Sequence, residues 1–249
     1  MNVRIKSIVA LFAVSTFSLS AHAADAKENV ASAIKALKEK GSYSWSTSTE
    51  MAGGQFPGTT SKGKTDKDGF ALISREGQNG EIQTAMKGDK RVTKMDDGWK
   101  TPEEMQAAGG GGRGRGGFGG GFGGVQALPS DEAEALLKDI KEMKAGDGGL
   151  YTAELSEQGA KDRAGFGGRG RGGRAGGAGG FTPPEPKDAK GTVKFWVKDG
   201  VLIKYELTTS AKMTFQDQEM DIGRTNTTEI SNVGSTKADV PEDAKKKLQ

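Results

Sequence analysis

The residue types that most often break and make bonds are nearly missing from this chain. It has no cysteine, and its only histidine is His22. Beyond that position neither thiol nor imidazole is available. Ser-His-Asp and Cys-His nucleophile systems, histidine proton shuttles and zinc sites built from Cys or His are therefore excluded. Carboxylates remain, and Asp66/Asp68, Asp96/Asp97 and Glu219/Asp221 are spaced closely enough to hold a hard cation or share a proton. Asp68 and Asp97, however, each precede a glycine, a pair that turns favour for backbone reasons. Asp66-Lys67-Asp68-Gly69 also lacks the oxygen-ligand spacing of a calcium loop. The expectation is turns, with no metal, no cofactor and no enzymatic activity.

Two further strings invite a chemical reading. Gly109 to Gly124 and Ala164 to Phe181 together hold 22 of the 40 glycines. Each contains a GxGxxG pattern, at Gly112, Gly114 and Gly117 and at Gly168, Gly170 and Gly173. Neither follows a strand and opens a helix, the context in which such glycines cradle a phosphate, so composition alone explains the match. The same tracts mix Arg113, Arg115, Arg169, Arg171 and Arg174 with Phe118, Phe122, Phe166 and Phe181. Charge and stacking faces on a glycine backbone can hold a polyanion. An interaction module that grips an envelope polyanion or a protein partner through these arginines is accordingly the alternative reading of the chain. Nucleic acid is not the expected partner, because the chain carries an export signal. Segments this rich in glycine bury too little side chain to offset the entropy of ordering, so both tracts are expected to be disordered loops inserted in one domain.

The export signal lies at the start. Arg4 and Lys6 precede an apolar run from Ile8 to Leu19, and Ala21-His22-Ala23 has the small-x-small form that signal peptidase cuts. The run is about a dozen residues, short of the roughly 20 that span a bilayer. The expected domains are a signal peptide over 1–23 and a single domain over 24–249, periplasmic or secreted and not membrane-spanning. Removing the signal takes two cations and no acid from a net charge of +3. What remains is close to neutral, which argues against global attraction to polyanions.

The elements that must position any site follow from hydrophobic period. Val30, Ile34 and Leu37 fall at helical spacing between Asp25 and a terminating Gly41. The period then changes to two: Tyr43, Trp45, Thr47 and Thr49 share one strand face, with serines 42, 44, 46 and 48 opposite. Strand runs follow over 59–75, broken at Lys67-Asp68-Gly69, and over 82–87 and 91–94 about Gly88-Asp89. Ser130 is placed to cap a helix with the buried stripe Leu136, Leu137, Ile140 and Met143. Leu150 to Leu155 resembles a strand. Val193, Phe195 and Val197 alternate with polar or outward residues, turn at Asp199-Gly200, and resume as Val201, Ile203, Tyr205 and Leu207, a hairpin. Lys212 to Gln216 pairs with Glu219 to Ile222, Thr225 to Val233 is a last strand, and Pro241 opens a short terminal helix. The fold class is α+β, an antiparallel meander with helices packed on one face.

In this order of elements the chain resembles the superfamily of Lol-type lipoprotein carriers and the related mycobacterial lipid-binding lipoproteins. The likeness rests on a signal, the helix Asp25 to Lys40, the Gly-Ser-Tyr-Ser-Trp strand at 41–45, the Trp-containing hairpin Val193 to Lys204, and the ending Val240-Pro241-Glu242. It implies a sheet curved into a half-barrel with helices on its concave face. It also implies a soluble binding protein that carries a lipid or lipoprotein acyl chain there. Tyr43, Trp45, Phe195, Val197, Ile203 and Tyr205 are the residues expected to line that face. Two departures stand out: no lipidation cysteine follows the signal, and the Gly/Arg tracts have no counterpart in the family pattern.

Overall fold

The computed structural model describes residues 19–52, 58–77, 80–107, 127–164, 185–215 and 218–249. Both Gly/Arg tracts lie outside these residues, except for Ala164, and so do the five arginines of the polyanion reading. Among the described residues no helix is long and apolar enough to cross a membrane.

Eleven strands form one antiparallel sheet. The first six are β1 (Tyr43–Met51), β2 (Thr59–Thr65), β3 (Phe70–Gly77), β4 (Gly80–Lys87), β5 (Lys90–Met95) and β6 (Gly98–Lys100). The other five are β7 (Ile140–Ala145), β8 (Leu150–Leu155), β9 (Lys187–Lys198), β10 (Val201–Phe215) and β11 (Gln218–Ser231). Their spatial order is β6-β5-β4-β3-β2-β1-β11-β10-β9-β8-β7. The chain thus runs outward from β1 to one edge, crosses the sheet, and meanders back from the other edge to β11. First and last strands meet at a central seam, from Ser44 opposite Ser231 to Met51 opposite Arg224. The sheet is open, with β6 and β7 at its edges, which gives the half-barrel architecture expected.

Helix α1 (Leu19–Lys40) begins earlier than the periodicity predicts, at Leu19 rather than Asp25. It ends where expected: Gly41 takes φ 66° and its amide donates to the Lys38 carbonyl. Val30, Ala33, Ile34 and Leu37 form its buried stripe. α2 (Pro102–Ala107) follows β6. α3 (Pro129–Asp139) presents Ala133, Leu136 and Leu137 to the core, and α4 (Glu157–Ala164) adds Ala160. These helices share one cluster with Tyr43, Trp45, Ile73, Phe195 and Tyr205, so they define the inner face of the sheet.

α5 (Glu242–Leu248) lies on the other face. Phe70 and Ala85 alternate with the inward Ala71 and Met86, and they pack instead with Val92, Trp99, Val240, Ala244 and Leu248. Lys87 and Lys245 stand over the Phe70 ring at 4.3 and 5.7 Å from its centroid. Helices therefore cover both faces, three on the inner side and α5 on the outer.

The structure departs from the sequence reading in the second helix. Ser130 does not cap it; Leu128 is the cap residue and Ser130 is buried in the first turn. The helix stops at Asp139, and Ile140 and Met143 belong to β7, not to the helical stripe. A register irregularity between them lets residues three apart both face inward. Glu219 to Ile222 and Thr225 to Val233 are likewise not two strands but the single β11.

Tight packing at one glycine gives a first prediction. Trp45 lies across β2, and a Cβ on Gly63 would sit 2.1 Å from the indole ring. Gly63→Ala must push a buried aromatic off its seat, and overpacking of this kind costs about 1–3 kcal/mol. Thermal unfolding is expected at a lower Tm than in the parent; an unchanged Tm would mean the indole is not pinned there.

Candidate functional site

The inner face brings together four of the six residues expected to line it. Tyr43, Trp45, Phe195 and Tyr205 are buried in one cluster. The Tyr43 and Trp45 rings lie 5.7 Å apart and tilted, those of Phe195 and Tyr205 6.5 Å apart and tilted, contacts that add to burial alone. Val197 is half-buried against the same cluster. Ile203 is not with them. A bulge between Leu202 and Lys204 leaves it without a partner on β9, and it lines an open groove with Ser44, Ser46, Lys204 and Glu229, on the outer side. Leu202 takes the inward position, fully enclosed and opposite Val197. Alternation alone could not find that shift, since a bulge breaks the period it relies on.

Two helices close over this face, joined to it and to each other by polar contacts. The Tyr43 hydroxyl is 3.0 Å from Ser130 Oγ, and the Tyr205 hydroxyl donates to Glu132 Oε2 at 2.7 Å. Both partners lie in the first turn of α3. Lys38 at the end of α1 pairs with Asp131 at 2.7 Å and with Glu134. Burial works against its charge, but the two carboxylates outweigh it and raise the ammonium pKa. At the far end of α3, Asp139 receives Arg163 of α4 through Nε at 3.0 Å and through a terminal nitrogen at 2.7 Å.

Along the seam the inner face changes character in four steps. Trp45 pairs with Ile230, Thr47 with Thr228, Thr49 with Asn226, and Met51 with Arg224. Thr47 and Thr228 share a hydrogen bond at 2.9 Å, and Thr49 donates to Asn226 at 2.8 Å. The site thus grades from aromatic and aliphatic to hydroxyl, amide and finally guanidinium. Thr47 and Thr49 were placed on this face by the period of β1. Arg224, Asn226 and Thr228 were missed, although counting back by twos from Ile230 finds them.

Burial pushes the Tyr205 hydroxyl well above the ordinary phenol range, and the Glu132 charge adds to the effect. Tyr43 is raised for the same first reason. An unfolded tyrosine releases its proton near pH 10 whereas the folded ones hold theirs. This contribution to stability is therefore complete below about pH 10 and is lost as pH rises from there toward the folded values. Alkaline unfolding with a steep fall in Tm above about pH 10 is expected. Tyr205→Phe should flatten that fall and lose about 1.5–3 kcal/mol at neutral pH, where it strips the Glu132 carboxylate of a donor. Identical pH profiles for the two proteins would contradict the assignment.

The acidic pairs serve turns and ion pairs. Asp66 Oδ1 accepts from the amides of Asp68 and Phe70 at 3.1 Å each, and Asp97 and Glu219 pair with Lys100 and Lys212. Among the described residues, no group of three or more potential ligands converges on a metal position.

No family model matches the chain, and no curated protein matches it. Solved structures do. LprF from Mycobacterium bovis is 12% identical, with 89% of this chain and 98% of that one covered, at a TM-score of 0.42. A LolA superfamily protein from Nitrosomonas europaea is 14% identical over 89% and 96%, at 0.33. An S-type phycobiliprotein lyase from Guillardia theta is 8% identical over 82% and 95%, at 0.27.

Proposed function

We propose that the chain is exported, that its first 23 residues are removed, and that the remaining domain holds a hydrophobic ligand, a lipid or acyl chain, between the inner face and helices α1 and α3. The observation that carries this reading is how α3 is attached. Its apolar residues Ala133, Leu136 and Leu137 rest on the continuous layer formed by Tyr43, Phe195, Tyr205 and their neighbours. Its fastenings are the Ser130 and Glu132 contacts to tyrosine hydroxyls and the Lys38 ion pairs. A neutral hydrogen bond such as Tyr43–Ser130 contributes about 1 kcal/mol, one to a carboxylate such as Tyr205–Glu132 about 1.5–3, and partly exposed ion pairs about 0–1. Apolar burial contributes more, and it is non-directional. An acyl chain sliding beneath α3 replaces that burial in kind, so lifting the helix forfeits chiefly the polar fastenings. The role is that of a carrier, not an enzyme.

The test is native mass spectrometry of the processed protein purified from its own periplasm or medium, followed by organic extraction. A co-purifying lipid near one per chain supports the carrier. A protein that arrives empty and fails to enhance the fluorescence of an apolar naphthylamine dye is not one.

A further inference from the structure

Arg224 is the one strongly basic group set into the inner face of the seam, and its surroundings do not match its charge. It sits on β11 opposite Met51 and Thr209, at the polar end of the gradient that starts at Trp45. One terminal nitrogen donates to the Arg163 carbonyl at 2.8 Å, in the last turn of α4. That is its sole hydrogen bond among the described residues, for a group with five donors. It forms no ion pair among them. Burial lowers its pKa, and the field of Glu132 opposes that lowering. Yet Glu132 is already engaged by Tyr205, and it belongs to α3.

We propose that Arg224 receives the anionic head, carboxylate or phosphate, of a single-chain amphiphile whose tail lies along the apolar end of the inner face. The inference rests on the carrier reading and specifies its ligand. When α3 lifts, Glu132 leaves with it and the guanidinium loses the one carboxylate whose field partly opposes the cost of its burial. A ligand anion arriving in the same step restores the balance, and its two oxygens match donors that now have no acceptor. The gradient sets orientation: tail toward Trp45, Ile230 and Phe195, head past Thr49 and Asn226. An open groove of about 1160 Å³ runs beside the head position, with Ser210, Ala211, Ile222 and Gly223, the neighbours of Thr209 and Arg224, in its wall.

The test is competition by palmitate and by methyl palmitate, equal in chain length and differing in charge, against a neutral naphthylamine dye bound to the full processed protein. Palmitate is expected to compete at about tenfold lower concentration than the ester, the scale of a charge-assisted hydrogen-bonded pair. In Arg224→Gln the acid-to-ester ratio should fall toward one. Arg224→Lys, which keeps the charge but not the fork, should retain part of it, and Lys141→Gln on exposed β7 should retain it all. Hexadecyl phosphate preferred over palmitate would assign the head to phosphate. A parent protein that takes both compounds equally overturns the assignment whatever the variants do, and leaves the carrier standing. A parent that binds the dye but neither compound overturns the assignment alone, and one that binds neither the compounds nor the dye overturns both.

Discussion

Phe195→Ala is expected to lose about 3–5 kcal/mol of stability. The ring is completely enclosed, on a strand flanked by β8 and β10 and roofed by the helical layer. A strand hydrogen-bonded on both sides cannot move in to fill the space that a removed phenyl leaves, so the cost of the cavity adds to the lost transfer free energy. Against a total stability of about 5–15 kcal/mol for a domain, such a loss is severe. Urea denaturation should show a much lower midpoint with an unchanged slope. A loss under about 1 kcal/mol would mean that neighbours close over the gap, and thus that the layer beneath α3 is soft enough to admit a guest without lifting the helix.

Leu202 and Ile203 are adjacent, similar in volume, and expected to respond unequally. Leu202 is fully enclosed and faces Val197 across the pair, whereas Ile203 occupies the bulge and lines an open outer groove. Leu202→Ala should cost about 2–5 kcal/mol, Ile203→Ala under about 1.5. Regular alternation from Val201 predicts the reverse. Measured side by side in the same denaturation series, the two values decide whether the bulge is where the structure has it. Equal losses, or a larger one at Ile203, would return that residue to the inner face.

What could be read from the residues depended on whether a rule of fixed period applied. The hairpins about Lys67-Asp68-Gly69, Gly88-Asp89 and Asp199-Gly200 were legible because turn chemistry is local. Asp199 and Gly200, at φ 51° and 73°, take the paired positive angles that a two-residue hairpin needs. The stripe of α1 was legible because a long run keeps its phase. Where the chain inserts a residue, phase is lost. Ile140 and Met143 imitate a helical repeat while lying in a bulged strand, and Ile203 points inward by parity alone. α4 escaped because its glycine and alanines, Gly159, Ala160 and Ala164, bury little and carry little hydrophobic signal. The polar end of the site escaped for another reason. Arg224 has an ordinary surface residue type, and the strand read from the sequence begins only at Thr225, so the count by twos from Ile230 stops short of it.

The placement of β1 beside β11 also dictates how the chain must come together in time. β1 to β6 pair with their sequence neighbours, as do β7 to β11, so each meander can zip up strand by strand, with the longest step inside a half at residues 156–186 between β8 and β9. The seam instead joins residues separated by about 180 positions, such as Thr47 and Thr228. Loop-closure entropy rises slowly with length, but a pairing this distant returns nothing until both halves are present. On a ribosome β1 emerges about 180 residues ahead of its partner β11. Until β11 follows, β1, with its aromatic side, waits with an open edge, and the two halves of the sheet stay unjoined.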